Sequence, residues 1–208
     1  QLAVAQVALD SLPSLQGVDD QADRRETMAD LQNAVERIGQ ILSDLNDLGL
    51  ERDGAERLAE ADIAAVVQRV LRLGTIHRKV RHVEVSVAPP DEGQAIVAAI
   101  VPGRLEQVLL NLLINAADAM DGRGTAQIGW CLDEDQVVLQ VEDAGPGVPP
   151  AERERIFEAF VSSKPADAGS GLGLSVSRRL VEAAGGKLEA LDSEDLGGAM
   201  LRLTLRPV

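Results

Sequence analysis

The sequence predicts an α+β protein in two parts. An N-terminal antiparallel helical hairpin comes first, then an α/β sandwich whose mixed sheet carries helices on one face. Three observations point there. Apolar residues from Met28 through Leu31, Val35, Ile38 and Leu42 to Leu45 recur at spacings of 3, 4, 3, 4 and 3, a heptad seam. From about residue 60 onward, short strand-like runs are interleaved with longer helical patterns. The last two runs, "KLEALDS" and "AMLRLTL", flank a turn at "LGG", so the final strands pair antiparallel.

The hairpin is read from both of its arms. Leu2, Ala5, Leu9 and Leu12 repeat the 3, 4, 3 spacing, and Pro13, Gly17 and the Asp19–Asp20 pair break it. The turn therefore falls near residues 13–20. The second arm shows Asp30, Glu36, Arg37, Asp44 and Asp47 on its outer faces and meets a stop at Gly49. Two helices alone bury too little apolar surface to offset the entropy of ordering them. Pairing two copies into a four-helix bundle makes a homodimer through residues 1–50. The other solution packs the hairpin on the domain that follows it. The polar stretch "ERDGAERLAEA" marks the junction and gives domains 1–55 and 56–208.

In the second domain "DIAAVVQRVLRL" sets Ile63, Val66, Val67, Val70 and Leu71 on one side of a helix. Strands are expected at "VEVSV" (83–87) and "AIVAAIV" (95–101), with a long helix over "GRLEQVLLNLLINAADAM". "TAQIGWCL" and "QVVLQVED" read as two strands around "DEDQ". A Gly/Pro loop, a short helix over "PAERERIFEAF" and a Gly-rich loop follow, and a further helix runs to about Ala184 before "GG".

Composition narrows the partners. The chain has 208 residues, 45% of them apolar, yet only one Trp, two Phe and no Tyr, so Leu, Val, Ile and Ala must form the core. No apolar run approaches the roughly 20 residues of a membrane span, and no signal-peptide pattern is present, so membrane contact is not expected. The first residue is Gln1 rather than Met, which reads as a piece of something longer. Cys131 is the single cysteine and cannot form an internal disulfide, in keeping with a cytoplasmic location. A net charge of -14 argues against a nucleic-acid surface. It leaves room for a small polyanion held locally by backbone N–H groups and a metal ion.

The Gly-rich loop "KPADAGSGLGLSVSRRLVEAAGG" matches neither common phosphate motif. No Gly-Lys-Ser or Gly-Lys-Thr exists, which excludes the lysine-bearing phosphate loop. Gly171 and Gly173 are followed by Ser175 and Val176 with no strand immediately before, which excludes the dinucleotide fingerprint. Gly169, Gly171 and Gly173 nevertheless alternate ahead of an amphipathic helix, and Ser170 and Leu172 lie between them. Such a loop either wraps a phosphate chain at the helix start or merely connects elements. Three other segments favour the first. "DAGPGV" places Asp143 before Gly145 and Gly147, so a ring can lie on bare backbone while the carboxylate accepts from an amine. Asn111 and Asn115 stand at i and i+4 on one helix face, where their amide oxygens can orient Mg²⁺. "FEAFVSSK" supplies Lys164 just ahead of the loop.

In this order N-L-L-x-N-A, D-x-G-x-G, F-x-x-F and G-x-G-L-G-L resemble the catalytic core of two-component sensor histidine kinases, over about residues 60–208. Their ATPase module belongs with the gyrase and MutL ATPases, the Bergerat fold. The hairpin is similar to that family's dimerisation helices, and the short lid with "VSSKP" is similar to the nitrogen-regulation type. The resemblance implies ATP and Mg²⁺ as cofactors. It implies Asn111 and Asn115 for Mg²⁺ and the phosphates, and Asp118 lining the same pocket. Asp143 would accept from the adenine amine, with Gly145 and Gly147 giving room. Residues 161–172 would form the lid, with Gly169, Gly171 and Gly173 as its hinge and Lys164 reaching the γ-phosphate. It implies phosphoryl transfer to a histidine of the dimerisation domain and onward to a response regulator.

That histidine is expected just upstream of Gln1, so the chain is not expected to label itself. His77 and His82, in "GTIHRKVRHVEV", lack the acidic neighbour the family places after its acceptor, and the surrounding Arg78, Lys79 and Arg81 read as a solvated patch. The alternative is a pseudokinase, a dimeric scaffold that binds nucleotide without autophosphorylation.

Overall fold

A computed structural model of the chain describes residues 59–90, 95–161 and 171–208. The expected hairpin lies outside the described residues, as do Lys164, Gly169 and Ser170.

The described part begins with a two-residue strand, β1 (Ala61–Asp62), and helix α1 (Ile63–Ile76). Asp62 caps that helix: its Oδ1 accepts from Ala65 N at 3.1 Å, satisfying one of the free donors of the first turn. Strand β2 (Val83–Ala88), the short β3 (Val97–Ala98) and helix α2 (Pro102–Ala119) follow. Pro102 at the first turn of α2 has no N–H to leave unpaired. Strands β4 (Gly124–Asp133) and β5 (Gln136–Asp143) form a hairpin, then helix α3 (Gly173–Ala183) leads to β6 (Lys187–Asp192) and β7 (Ala199–Leu205).

The main sheet has the order β2-β4-β5-β7-β6. Only β2 and β4 run parallel; every other neighbouring pair is antiparallel. This is the mixed sheet expected from the sequence. Register aligns its apolar residues in rows: Ile128, Val141, Leu201 and Ala190 form one, and Trp130, Leu139, Leu203 and Leu188 the next. Because side chains alternate across a strand, these rows share a face. Most of their members are buried with Val66, Val70, Leu105, Leu109, Leu112, Val176 and Leu180 of the three helices in a single core. Each fully buried Leu, Ile or Val contributes about 1.5–3 kcal/mol.

Two expectations change. The run 95–101 yields only Val97–Ala98, which pairs antiparallel with Ala61–Asp62 rather than joining the main sheet. Its continuation is cut short where Ile100 N turns back to Ala98 O and α2 begins. The helix expected over "PAERERIFEAF" is a single 3₁₀ turn, Arg155–Phe157. Arg153 there reaches Val148 O and Asp192, Phe157 is buried beneath the Arg178 guanidinium, and Phe160 at φ +67° ends any helical path. Among the described residues no helix is long and apolar enough to cross a membrane.

Candidate functional site

The site forms where the end of β5, the face of α2 and the start of α3 meet. Asp143 is the last residue of β5 and follows Val137, Leu139 and Val141 on the inward face. Strand alternation therefore aims a carboxylate into the helix layer, where an apolar residue would otherwise stand. Asp143 is only 6% exposed. Its Oδ1 accepts from Gly145 N at 2.8 Å and Ala199 N at 3.2 Å. Oδ2 has no protein donor among the described residues. Burial pushes the carboxyl above its ordinary value of 3.8, and the two backbone donors pull the other way. A buried oxygen without a partner is costly, and one aimed into a concave site is an acceptor held ready for a ligand.

Two close approaches shape the wall around it. A Cβ on Gly145 would lie 2.8 Å from Asp143 Oδ1 and 3.3 Å from the Ala119 Cβ at the end of α2. Gly198 is tighter still: a Cβ there would lie 2.6 Å from both Asp143 Oδ1 and Gly145 N. Only glycine fits at this point. The turn that brings Gly198 in is fixed from outside the core. Ser193 Oγ donates to buried Glu142 at 2.5 Å and accepts from Leu196 N, while Ser193 N donates to Gly198 O. Gly198 and the Ala199 N–H are site groups that sequence reasoning missed. "LGG" was legible only as a turn, since nothing local says which loop it will meet.

Across the site, Asn111 is 8% exposed. Its Nδ2 donates to Gly173 O at 3.5 Å and Ser177 Oγ at 3.4 Å, both in the first turns of α3. Its Oδ1 has no protein donor among the described residues. Asn115 is half-buried one turn along α2, and Asp118 follows on the same stripe. Asp118 Oδ2 is bound by Lys79 Nζ at 2.9 Å, an ion pair with the turn between α1 and β2. Lys79 was read from sequence as part of a solvated patch; the fold brings it to α2 instead.

Of the glycines proposed as a hinge, Gly171 has φ +67°, and a Cβ on it would lie 2.9 Å from the Phe160 backbone. Phe160 N donates to Gly171 O at 2.9 Å, so the two ends of the segment between them meet. Gly173 is the first residue of α3 and touches Asn111 without a left-handed φ, while Leu172 is the cap residue before it. Gly147 has φ +75° and packs against Gly198 O. Asp143, Gly145 and Gly147 are thus gathered at the C-terminal end of α2, and Asn111, Leu172 and Gly173 about two turns earlier along it. Among the described residues no cluster of His, Cys, Asp and Glu could hold a metal ion, so the amide oxygens of Asn111 and Asn115 are the neutral donors present. Few protein ligands suffice for Mg²⁺, which keeps water or phosphate oxygens in its remaining positions.

Fold and site together define an ATPase domain of the Bergerat type: a mixed sheet with helices against one face and a carboxylate over glycines at its end. The chain belongs to the histidine kinase-, DNA gyrase B- and HSP90-like ATPase family, whose model matches residues 100–208. It is 33% identical over 189 residues to the sensor protein ChvG of Agrobacterium fabrum, a match covering 82% of this chain and 31% of that protein. A mycobacterial sensor histidine kinase structure, MprB, superposes with a TM-score of 0.61 at 28% identity, covering 72% of this chain and 97% of that one. Full-length ShkA in complex with AMPPNP gives 0.64 at 28% identity, over 88% of this chain and 39% of that one. The chain thus resembles the sensor histidine kinases and spans about a third of the length of that curated relative.

Proposed function

We propose that this chain is the catalytic part of a sensor histidine kinase: it binds Mg·ATP and presents the γ-phosphoryl group to a histidine of a dimerisation domain. The observation that carries this reading is buried Asp143, whose Oδ1 lies against the bare backbone of Gly145 and Gly198 and whose Oδ2 has no protein donor among the described residues. That oxygen suits the exocyclic amine of adenine, and the glycines admit a flat ring. Asn111 and Asn115 fit the metal and the phosphates, with the Asn111 Oδ1 given no protein donor among the described residues. The ion supplies charge neutralisation when bound. The chain's own residues bind and orient the nucleotide, which is most of what phosphoryl transfer asks of a protein.

The same reading assigns residues 1–55 to the dimerisation hairpin, with contact between two copies through 1–50, and residues 56–208 to the ATP-binding domain. Residues 161–172 are the lid, with Gly169, Gly171 and Gly173 as its hinge, and Lys164 a γ-phosphate contact. A response regulator in the cytoplasm receives the phosphoryl group. On this reading neither His77 nor His82 is the acceptor, since neither has the acidic neighbour that the family places after its acceptor histidine.

Titration calorimetry with a non-hydrolysable Mg·ATP analogue tests the reading. Asp143→Ala removes a charged acceptor worth about 1.5–3 kcal/mol, so the Kd should rise roughly 10- to 150-fold. Equal affinity in the variant would place the base elsewhere.

A further inference from the structure

Glu142 and Asp143 are neighbours at the end of β5, so their side chains leave opposite faces of the sheet. Asp143 points into the site. Glu142 points away from it, yet is only 1% exposed. A buried carboxylate costs free energy even when it is hydrogen-bonded. Its Oε2 accepts from the Ser193 hydroxyl at 2.5 Å, the length of a charge-assisted O–H···O⁻ bond. Ser193 is itself buried and heads the turn between β6 and β7. Its Oγ accepts from Leu196 N at 3.0 Å, its N donates to Gly198 O at 2.9 Å, and its O accepts from Gly197 N at 3.1 Å. The next N–H along, that of Ala199, donates to Asp143 Oδ1 at 3.2 Å. Two adjacent carboxylates of β5 thus grip one turn from the two faces of the sheet. A serine can head such a turn through its bond to the backbone alone. The glutamate adds a fixed direction for the hydroxyl, and with it a fixed place for Gly198 and the Ala199 N–H.

We propose that Glu142 and Ser193 are positioning residues for base recognition: they hold the β6–β7 turn so that Ala199 keeps Asp143 Oδ1 and Oδ2 stays aimed at an exocyclic amine. The proposal rests on the reading of this cleft as an ATP site. Its signature is selectivity for the amine rather than affinity alone. Once the turn is released, Asp143 loses its fixed aim, and a purine that carries the amine loses more than one that lacks it. The alternative, that the pair only stabilises the turn, predicts lower stability with the ratio of the two affinities unchanged.

The experiment uses the whole 208-residue chain, with amide hydrogen exchange by NMR and calorimetry. The two ligands are a non-hydrolysable ATP analogue and its counterpart on purine without the amine. Ser193→Ala should speed exchange at the Ala199 N–H on the order of 10-fold. It should weaken the amine-bearing ligand about 3- to 10-fold and the amine-free one less than about 2-fold. Glu142→Leu keeps the bulk but offers no acceptor, and should behave alike. Glu142→Gln has an amide oxygen that can still accept from Ser193, so its Kd should stay within about 2-fold of the original. Should Glu142→Leu not fold in urea melts, Ser193→Ala and Glu142→Gln decide the matter. An Ala199 amide that exchanges at its original rate in Ser193→Ala, equal losses for the two ligands, or Glu142→Gln as weak as Ser193→Ala each overturns the proposal. Failure of the underlying reading looks different: the unmutated chain would bind neither ligand, or both equally, while exchange at Ala199 would still respond to Ser193→Ala.

Discussion

The two ends of the site are built differently. At the sheet end, the wall is backbone: Asp143 is fixed by two N–H donors, and Gly145 and Gly198 pack so closely against it that no side chain fits between. At the helix end the wall is side chain: Asn111 is held by bonds of 3.4 and 3.5 Å to α3, near the upper limit for such contacts. The first end is rigid before any ligand arrives. The second can re-aim its amide at modest cost. A flat, invariant base suits the rigid end, whereas a phosphate chain that changes length as it reacts suits the adjustable one.

The largest effect should come from crowding the rigid end. Gly198→Val puts a branched side chain onto Asp143 Oδ1 and Gly145 N, so nucleotide affinity should fall more than about 100-fold in calorimetry, beyond one lost hydrogen bond. Loss of fold must be separated from loss of site. Leu139, fully buried in the centre of the sheet, serves as the control. Leu139→Ala should cost about 2–5 kcal/mol in urea melts yet leave the Kd of the folded protein nearly unchanged. Valine at 198 with normal binding would show that the close approach is dispensable.

Asp143→Asn sets stability against function. Because burial raises the folded carboxyl above 3.8, the folded chain holds this proton more tightly than the unfolded one. The stabilisation from that proton is full below the unfolded value and is lost as pH rises through the folded one. Asparagine cannot ionise and its oxygen can still accept from Gly145 and Ala199. The variant should therefore melt at or above the original temperature at neutral pH, with the gap closing in acid. Its NH₂ would replace the free Oδ2, so donor would face donor, and nucleotide affinity should fall at least about 10-fold. A variant that is less stable at pH 7 but still binds would reverse the assignment of this oxygen.

The difference between the two ends also explains what the sequence could reveal. The sheet, its mixed pairing and the three described helices were legible because each carries its own period and stop signal, as in α3, which ends at Ala183 just before the left-handed Gly185. The short segments failed. Val97–Ala98 and the turn at Arg155–Phe157 are set by edge pairing and by Arg153 and Arg178 contacts that no local pattern encodes. The candidates Asp143, Asn111 and Asn115 stand out in the sequence because chemistry and spacing coincide within one segment. Gly198 and Lys79 do not, because each acts on a residue at least 39 positions away.

The smallest effect should come from the adjustable end. Ser177 is fully buried, and its hydroxyl accepts a 3.4 Å bond from Asn111 Nδ2. Ser177→Ala leaves Gly173 O as a partner for the same amide group. One neutral hydrogen bond is worth about 0.5–1.5 kcal/mol, so the Kd for the Mg·ATP analogue should rise no more than about 10-fold. The loss should shrink when Mg²⁺ is withheld, because the serine matters only through the aim of the Asn111 amide oxygen at the ion. A loss as large as that at Gly198, or one indifferent to Mg²⁺, would mean that the helix end is as rigid as the sheet end and that Asn111 orients something other than the metal.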